Sequence, residues 1–391
     1  MLKNQTRTEL DVHQFAYRHN RSVDDAVLSL LHYTQSHLDE GGSYVRILYV
    51  DFSSAFNTVQ THLLARKLNE LHVNSHLTLW VSNFLTDRTQ AVKYISHGSP
   101  SSPSASLSSP SSVCLSSLKH INTGTPQGTV ISPFIFTLYT NDCQSKRENT
   151  HIIKFSDDTA IVNLSDSQPV FEKEVDIFVT WCETNHLEMN VGKTKEMVID
   201  FKRVKTVLSD LVIHGEKVER VDEYKYLGTV VDEKLNFHGN TERIYKKCRQ
   251  RMHMLYQLRA HMVSSRILER CYRAFIESIL TFSFICWFGC LGVKEKKRLT
   301  GVVNVCSNIV GVKQASLADL YTRRVTDKAI KIKNDPTHVL AHCFEILPSG
   351  RRLRVPRCRT NKFQHTFIPT SISLLNTIIM KPHNCSVRDS L

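Results

Sequence analysis

The sequence predicts an α+β fold in which a mixed body of strands and helices is followed by a helical region. Apolar, β-prone runs alternate with amphipathic patterns up to Phe237, and this alternation is typical of helices packed against a sheet. Beyond Phe237 the strand-like runs end and long helical patterns replace them. The 391 residues, 41% hydrophobic and 22% charged, have an ordinary globular composition and enough length for about two or three domains.

The first helix is predicted to begin after Ser22 and to end at Gly41. Ser22 can cap this helix, and Asp25 stands at its third position, as in a capping box. The next run, residues 45–50, is too apolar for a surface and is predicted to be a central strand. It delivers Asp51 at its carboxyl end, where this acid either contributes to a site or caps the following segment.

Two helical patterns follow, over residues 63–71 and 77–84. The composition then changes, because residues 96–120 are rich in serine and proline and poor in core formers. They are predicted to form a disordered insertion. Order returns at a Gly- and Pro-containing turn over residues 121–128, which leads into an apolar helix over residues 133–139.

The second half of the mixed body contains the paired acids Asp157 and Asp158. They lie between two β-prone runs, residues 151–155 and 159–164, and are predicted to occupy the tight turn of a hairpin. The elements after it are predicted as a helix over 171–186, a strand over 197–201, a hairpin over 211–218 that turns at Gly215, and a single strand over 226–231.

The paired acids are costly to place side by side. Two ionised carboxylates about 4 Å apart repel by roughly 4 kcal/mol at an effective dielectric near 20, so the pair favours a bound divalent cation. A solvated turn is the alternative, because Asp forms turns readily. Asp51, the segment 124–128 and the acid pair together match two-metal nucleotidyl transfer, in which carboxylates hold both ions. A metal-dependent nuclease or phosphatase is a more distant alternative.

The charge of the chain indicates a polyanionic partner. Fifty basic residues against thirty-seven acidic ones give a net charge of +13, which favours nucleic acid before a membrane surface. Residues 240–273 contain nine basic and two acidic residues. Phosphate contact is predicted there, with a solvated basic surface as the alternative, for Arg243, Lys246, Lys247, Arg249 and Arg251. The tail, with a second basic cluster over 351–359, is predicted to lack long helices.

Export is not indicated. Eleven cysteines occur singly, without a CxxC pair, which favours buried thiols in a reducing compartment. No apolar run reaches the roughly 18 residues that cross a bilayer, and the first residues lack the apolar core of a signal peptide. An intracellular protein of the nucleus or cytoplasm, without a membrane partner, is therefore expected.

The order and spacing of several motifs resemble those of reverse transcriptases from non-LTR (LINE-type) retrotransposons, the group that includes the jockey mobile element. The matching segments are 50–56, 123–128 with Ser132-Pro133, 155–159 and 187–195 for the four catalytic motifs, 224–228 for the strand after the palm, and 14–18 and 347–352 for further signatures. The resemblance extends over most of the chain, from residue 14 to residue 376.

The resemblance implies a right-hand polymerase fold, with an antiparallel palm sheet flanked by helices, partial fingers and a helical thumb. The implied domains are partial fingers over 1–44, a palm over 45–95 and 121–237 that is interrupted by the insertion over 96–120, a basic helical thumb over 238–312, and a basic C-terminal region over 313–391.

The resemblance also implies an RNA-directed DNA polymerase that uses an RNA template, a DNA primer and dNTPs, with two Mg²⁺ ions, or Mn²⁺, as cofactors. The metal ligands implied are Asp51, Asp157 and Asp158. Lys193 would donate a proton to the leaving pyrophosphate, or is an ordinary surface lysine. The implied nucleotide-site residues are Phe52, Phe56, Gln127 and Gly128, with Phe56 blocking a ribose 2′-hydroxyl.

A catalytically inactive, nucleic-acid-binding remnant of a mobile element is the alternative function. The family's upstream endonuclease is not recognised in this sequence, and only a short segment up to Arg21 precedes the first helix. Weak or absent extension by this chain is therefore expected.

Overall fold

The secondary structure comes from a computed structural model that describes residues 2, 6, 10–96 and 112–380. The strands are β1 (Val45–Val50), β2 (Arg88–Gln90), β3 (Lys93–Ser96), β4 (Ser112–Leu115), β5 (Lys119–Ile121), β6 (Thr150–Phe155), β7 (Asp158–Asn163), β8 (Lys195–Ile199), β9 (Val212–Ile213), β10 (Glu216–Lys217), β11 (Glu219–Arg220), β12 (Glu223–Tyr226) and β13 (Thr229–Asp232).

The α-helices are α1 (Val23–Glu40), α2 (Thr61–Glu70), α3 (Ser75–Leu85), α4 (Ser132–Tyr139), α5 (Gln168–Thr184), α6 (His238–Ala260), α7 (Ser265–Tyr272), α8 (Ser278–Leu280), α9 (Phe284–Trp287), α10 (Val293–Val310), α11 (Leu317–Lys333), α12 (Asn361–Gln364) and α13 (Phe367–Met380). A π-helical segment covers Arg273–Glu277, and single 3₁₀ turns cover Ala55–Asn57 and Ala341–Cys343.

The chain divides into two compact units. The first comprises Met1–Leu10, Phe52–Asp142 and Thr180–Glu188, and the second comprises Asp11–Asp51, Cys143–Val179 and Met189–Leu391. The segment predicted as palm over 45–95 is therefore divided directly after Asp51. Strand β1 belongs to the second unit, whereas the helices that follow it belong to the first.

The second unit is built on a five-stranded sheet in the order β11–β8–β1–β7–β6. Strand β1 lies at its centre and pairs antiparallel with β7 and β8, while only the edge strand β11 runs parallel to its neighbour. Every residue of β1 is buried, as the apolar run predicts. The α+β class and the antiparallel sheet with flanking helices are thereby confirmed.

Helix α1 covers this sheet, packing against β1, β6 and β7. Its start follows the prediction, because the backbone N–H of Ser22 donates to Asp25 Oδ2 at 2.8 Å, as in a capping box. One apolar core continues from the sheet into the helices after Phe237 and includes Trp287 and Leu299. Within the described ranges, none of the helices is long and apolar enough to cross a membrane.

The first unit contains α2, α3 and α4 with two ribbons, β2–β5 and β3–β4. The disorder predicted over 96–120 was wrong at its carboxyl end, because β4 pairs with β3 and β5 pairs with β2. Residues 97–111 lie outside the described residues. The prediction of disorder rested on composition alone. The segments on both sides of the serine-rich stretch nevertheless pair as antiparallel ribbons, in which their backbone N–H and C=O groups form hydrogen bonds with each other.

Two further predictions need correction. The single strand predicted over 226–231 is a hairpin, since β12 and β13 are joined by Leu227 at φ +46° and Gly228 at φ +89°. The tail predicted to lack long helices contains α11 and α13. Helix α11 buries an apolar stripe that includes Leu317, Leu320 and Val325, and this packing outweighs the nearby proline and charge signals.

Candidate active site

Three carboxylates lie together at the carboxyl end of β1. Phe155 pairs with Asp158, so Ser156 and Asp157 form the turn between β6 and β7. Val50 pairs with Thr159, which sets the following residue, Asp51, beside Asp158 in the antiparallel register. The predicted hairpin is confirmed, with Asp157 in its turn, whereas Asp158 is the first residue of β7. The sheet brings the third acid to them from a different strand.

The acids repel one another. Partial burial raises the pKa of Asp158, and the negative charges of Asp157 and Asp51 raise that pKa further. Lys193 Nζ lies 3.8 Å from Asp51 Oδ2, with 71% and 39% of the two side chains exposed. An ion pair this accessible contributes only about 0–1 kcal/mol. The cluster therefore keeps a surplus of negative charge that a cation would neutralise.

The turn over residues 190–194 holds Asp51 in place. The backbone N–H of Asn190 donates to the carbonyl oxygen of Asp51 at 2.8 Å. The N–H of Asp51 donates to Thr194 Oγ1 at 3.3 Å, and that hydroxyl donates to the carbonyl oxygen of Asn190 at 2.9 Å. Because this turn also contains Lys193, the lysine and Asp51 are positioned by the same hydrogen bonds.

Gln14 supports the turn that contains Asp157, a contact that sequence reasoning missed. This glutamine is fully buried, and its Oε1 accepts hydrogen bonds from the N–H groups of Ser156 at 3.3 Å and Ala16 at 3.0 Å. Ser156 has φ +64°, a left-handed conformation that few residues other than glycine adopt. A polar residue beside the apolar Phe15 and Ala16 was the available signal.

Tyr224 is a second residue whose place was missed. Its ring stacks on Tyr49 of β1, with centroids 4.1 Å apart and an interplanar angle of 14°. Burial raises the pKa of Tyr224, and the charges of Asp158 and Asp51 raise it further. The phenol of Tyr224 is therefore close enough to the acidic cluster to interact with its charges. The sequence analysis had only matched the segment of Tyr224 to a strand of the family.

The four residues predicted for the nucleotide site all belong to the first unit. Phe52 and Phe56 are half-buried, whereas Gln127 and Gly128 are exposed. The Phe56 ring packs against Phe136 at 4.8 Å between centroids. Its carbonyl oxygen accepts a hydrogen bond from the N–H of Thr125 at 2.8 Å, so Phe56 and the turn that contains Gln127 are directly linked.

Arg88 braces this turn and was also missed. Its Nη2 donates to the carbonyl oxygens of Thr123 at 2.6 Å and Gly124 at 2.8 Å, and its Nε donates to the carbonyl oxygen of Leu85 at 3.0 Å. Gly124 has φ +72°, and a Cβ there would lie 2.7 Å from Asn57 Cα. Only glycine fits this close approach, so the turn has one defined geometry.

The basic residues predicted to contact phosphate lie on α6, and all five are exposed. Their spacing sets Arg243, Lys247 and Arg251 along one line of the helix with Lys246 beside it, whereas Arg249 lies on a different face. Arg249 also lines a cavity of about 630 Å³ together with Tyr245, Tyr256, Lys297 and Arg298, among others. Cationic and aromatic side chains thus share one surface between α6 and α10.

The sequence of residues 1–231 matches the family model described as reverse transcriptase (RNA-dependent DNA polymerase). The chain belongs to the reverse transcriptase family. The match includes the hairpin with Asp157 and Asp158, the turn with Gln127, and the β12–β13 hairpin with Tyr224 up to Val231.

Curated relatives of this reverse transcriptase come from mobile elements of flies. A probable RNA-directed DNA polymerase from transposon BS of Drosophila melanogaster is 23% identical over 260 residues, which cover 64% of this chain and 27% of the relative. The RNA-directed DNA polymerase from mobile element jockey of Drosophila funebris is 25% identical, and the match covers 36% of this chain and 16% of the relative. The corresponding protein of Drosophila melanogaster is 23% identical, and the match covers 61% of this chain and 25% of the relative. The chain thus spans about a quarter or less of each relative. The predicted resemblance to non-LTR reverse transcriptases is confirmed.

Matching solved structures include telomerases. Telomerase from Candida albicans in complex with the TWJ fragment of telomeric RNA matches 87% of this chain and 52% of its own, at 13% identity and a TM-score of 0.37. Apo telomerase from Candida tropicalis matches 96% and 54%, at 11% identity and a TM-score of 0.38. The family assignment rests on the sequence match over residues 1–231.

Proposed function

We propose that the chain is the RNA-directed DNA polymerase segment of a non-LTR retrotransposon and adds nucleotides from dNTPs to the 3′ end of a primer. One observation carries the proposal. Asp51, Asp157 and Asp158 meet at one end of an antiparallel sheet, in a chain of the reverse transcriptase family. Phosphoryl transfer depends mainly on positioning and charge neutralisation, and a carboxylate cluster of this kind suits both.

The three acids fit a divalent cation. All the donors are carboxylate oxygens, the ligands that Mg²⁺ prefers. Burial raises the pKa of Asp158, and so does the repulsion from Asp157 and Asp51, which a cation would relieve. Asp51, Asp157 and Asp158 would hold two Mg²⁺ ions, or Mn²⁺. When bound, these ions supply charge neutralisation for the attacking and leaving oxygens.

Lys193 is proposed to donate a proton to the leaving pyrophosphate. Its side chain is exposed, and its ammonium nitrogen lies 3.8 Å from Asp51 Oδ2. The ammonium group is therefore close to the acidic cluster and accessible to solvent. The turn that fixes Asp51 also contains this lysine. An ordinary surface lysine would instead tolerate substitution without loss of extension.

Nucleotide selection is assigned to four residues of the first unit. Phe56 would exclude a ribose 2′-hydroxyl, because its ring is held by Phe136 and cannot easily move aside. Phe52 would line the same site. Gln127 and Gly128 are exposed on the braced turn, where an amide and an uncovered backbone suit contact with the incoming nucleotide and the template.

The template and primer are proposed to lie against the basic surface of α6. Arg243, Lys246, Lys247, Arg249 and Arg251 are exposed there, and phosphate contacts from such side chains supply sequence-independent affinity. The same observation favours the second candidate function, a nucleic-acid-binding remnant that no longer turns over.

Primer extension on a poly(rA)–oligo(dT) duplex with Mg²⁺ tests the proposal. The wild-type chain should extend the primer weakly, Asp157→Asn should abolish extension while duplex binding remains, and Asp210→Asn should change neither. Asp210 is a matched control, since it is an exposed aspartate of the second unit that pairs with Lys217. More than about a tenth of the wild-type kcat in Asp157→Asn contradicts a metal role, because metal ions contribute several kcal/mol.

Two other outcomes identify the alternatives. Duplex binding without extension by the folded wild-type chain would favour the non-catalytic remnant. Metal-dependent shortening of the primer without added dNTPs would favour a nuclease.

A further inference from the structure

Two histidines and a cysteine from distant parts of the chain meet in the second unit. His32 lies on α1, whereas His342 and Cys343 lie in the 3₁₀ turn Ala341–Cys343. One donor atom from each residue lies within 4.8 Å of the other two. We propose that His32, His342 and Cys343 bind one Zn²⁺ ion, at a site separate from the acidic cluster and not required by the polymerase chemistry.

The donor distances fit tetrahedral zinc. Cys343 Sγ lies 3.4 Å from His32 Nε2 and 3.5 Å from His342 Nε2. In a tetrahedral site, Zn–S is about 2.3 Å and Zn–N about 2.0–2.1 Å, which separates sulfur and nitrogen ligands by about 3.5 Å. The three side chains therefore need little movement to share one ion.

The hydrogen bond of the His342 imidazole suits ligation. Nδ1 of His342 donates to the carbonyl oxygen of Val339 at 2.8 Å, which leaves Nε2 unprotonated on the side of the sulfur. Ligating histidines are typically oriented in this way by a bond from the other ring nitrogen. Without a metal, the one thiol proton of Cys343 can be donated to only one of the two Nε2 atoms. An ion would satisfy both nitrogens and the sulfur.

The donor set selects the kind of ion. Nitrogen and sulfur ligands suit zinc, whereas Mg²⁺ prefers oxygen, so the cation of the acidic cluster would not compete here. The three residues line a cavity of about 430 Å³, and His342 is exposed, so water can occupy the fourth position. Binding transfers the thiol proton of Cys343 to solvent, because the thiolate is the ligand.

The charge around the cavity does not oppose a cation. Arg354, Arg357 and Arg359 line the cavity, and so do Asp39, Glu40 and Glu345. The three positive side chains are therefore matched by three negative ones. A bound ion would connect α1 to a segment more than three hundred residues later and should stabilise this end of the second unit.

Titration of the metal-free full chain with Co²⁺, in millimolar Mg²⁺ to occupy the acidic cluster, tests the site. One equivalent of Co²⁺ should give the visible bands of tetrahedral cobalt and a thiolate-to-cobalt charge-transfer band, and Zn²⁺ should displace it. Cys343→Ser should abolish the charge-transfer band and weaken binding by more than about 100-fold, beyond the usual effect of losing a supporting hydrogen bond. Cys358→Ser, which removes another half-buried thiol, should leave both unchanged.

His342→Ala provides a variant that should fold, since this side chain is exposed. It should weaken Co²⁺ binding while the thermal unfolding of the metal-free chain stays the same, and Zn²⁺ should raise the Tm of the wild type but not of this variant. The proposal is overturned if the folded wild type shows no thiolate band at one equivalent, or if Cys343→Ser retains it. These readouts do not depend on polymerase activity.

Discussion

The backbone N–H of Asp51 and the hydroxyl oxygen of Thr194 lie 3.3 Å apart, and Thr194 is fully buried. This contact connects the end of β1 to the turn before β8, and the hydroxyl of Thr194 in turn donates a hydrogen bond to the carbonyl oxygen of Asn190. The acid at the end of the central strand is therefore positioned by its backbone, which leaves its carboxylate available for a cation.

Thr194→Val should lower primer extension by up to about a hundredfold, because small misplacements of a reacting group are that costly. It should also destabilise the chain by about 1–3 kcal/mol, since it leaves the N–H of Asp51 without its partner. Steady-state extension and denaturant unfolding measure the two effects. Thr194→Ser keeps the hydroxyl and should recover most of both, and equal loss in the two variants would contradict the positioning argument.

Asp158→Asn should stabilise the metal-free chain at neutral pH. The pKa of Asp158 is raised in the folded state, so ionisation at neutral pH costs folding free energy, and this cost disappears as the pH falls below the ordinary aspartate value of about 3.9. The gain in the free energy of unfolding should thus be present at pH 7 and absent in acid. Mg²⁺ should stabilise the wild type more than the variant.

Asp210→Asn is the control for this pH dependence. A hydrogen bond from Lys217 lowers the pKa of Asp210, which is the opposite direction, so removing its charge should not stabilise the chain at neutral pH. Similar gains in both variants would show that general charge reduction, rather than repulsion within the acidic cluster, is responsible.

Phe56→Val should relax the discrimination between rNTPs and dNTPs, on the proposal that the ring excludes a 2′-hydroxyl. The ratio of kcat/KM for the two substrates measures this discrimination. Phe201→Val is the control, since Phe201 is an exposed phenylalanine of the second unit. An unchanged ratio in a folded, active variant would mean that Phe56 serves only the packing against Phe136.

Replacing Lys246, Lys247 and Arg249 together by alanine should weaken duplex binding for all sequences. It should also reduce the slope of log affinity against log salt by up to about 2, given roughly 0.7–0.9 for each lost phosphate contact. Fluorescence anisotropy across a salt series measures this slope. The matched control replaces the exposed residues Lys313, Arg323 and Lys331, which removes the same charge, and equal slope changes would argue against a specific surface.

Local sequence was sufficient to predict the elements whose formation depends on residues close in the chain. The apolar run of β1, the capping box at Ser22 and the acidic turn at Asp157 were all predicted, since burial, capping and turn formation depend on near neighbours. Composition was a poorer guide next to the serine-rich stretch, where β4 and β5 form by pairing with β3 and β2. The hairpin at Leu227 was missed because Leu227 and Gly228 were assigned to the interior of one strand, although Gly228 adopts a φ of +89° that a turn requires.

What the sequence by itself determined is therefore the class of fold, the family motifs and the identity of the three acids. Only the tertiary structure decided which strands flank β1, and hence that Asp51 meets Asp158. The tertiary structure alone places Gln14 in contact with Ser156, Arg88 in contact with the turn at Gly124, and His32 in contact with Cys343. These contacts join residues from tens to hundreds of positions apart, and no local pattern encodes them, because they arise from the packing of elements that are each specified separately.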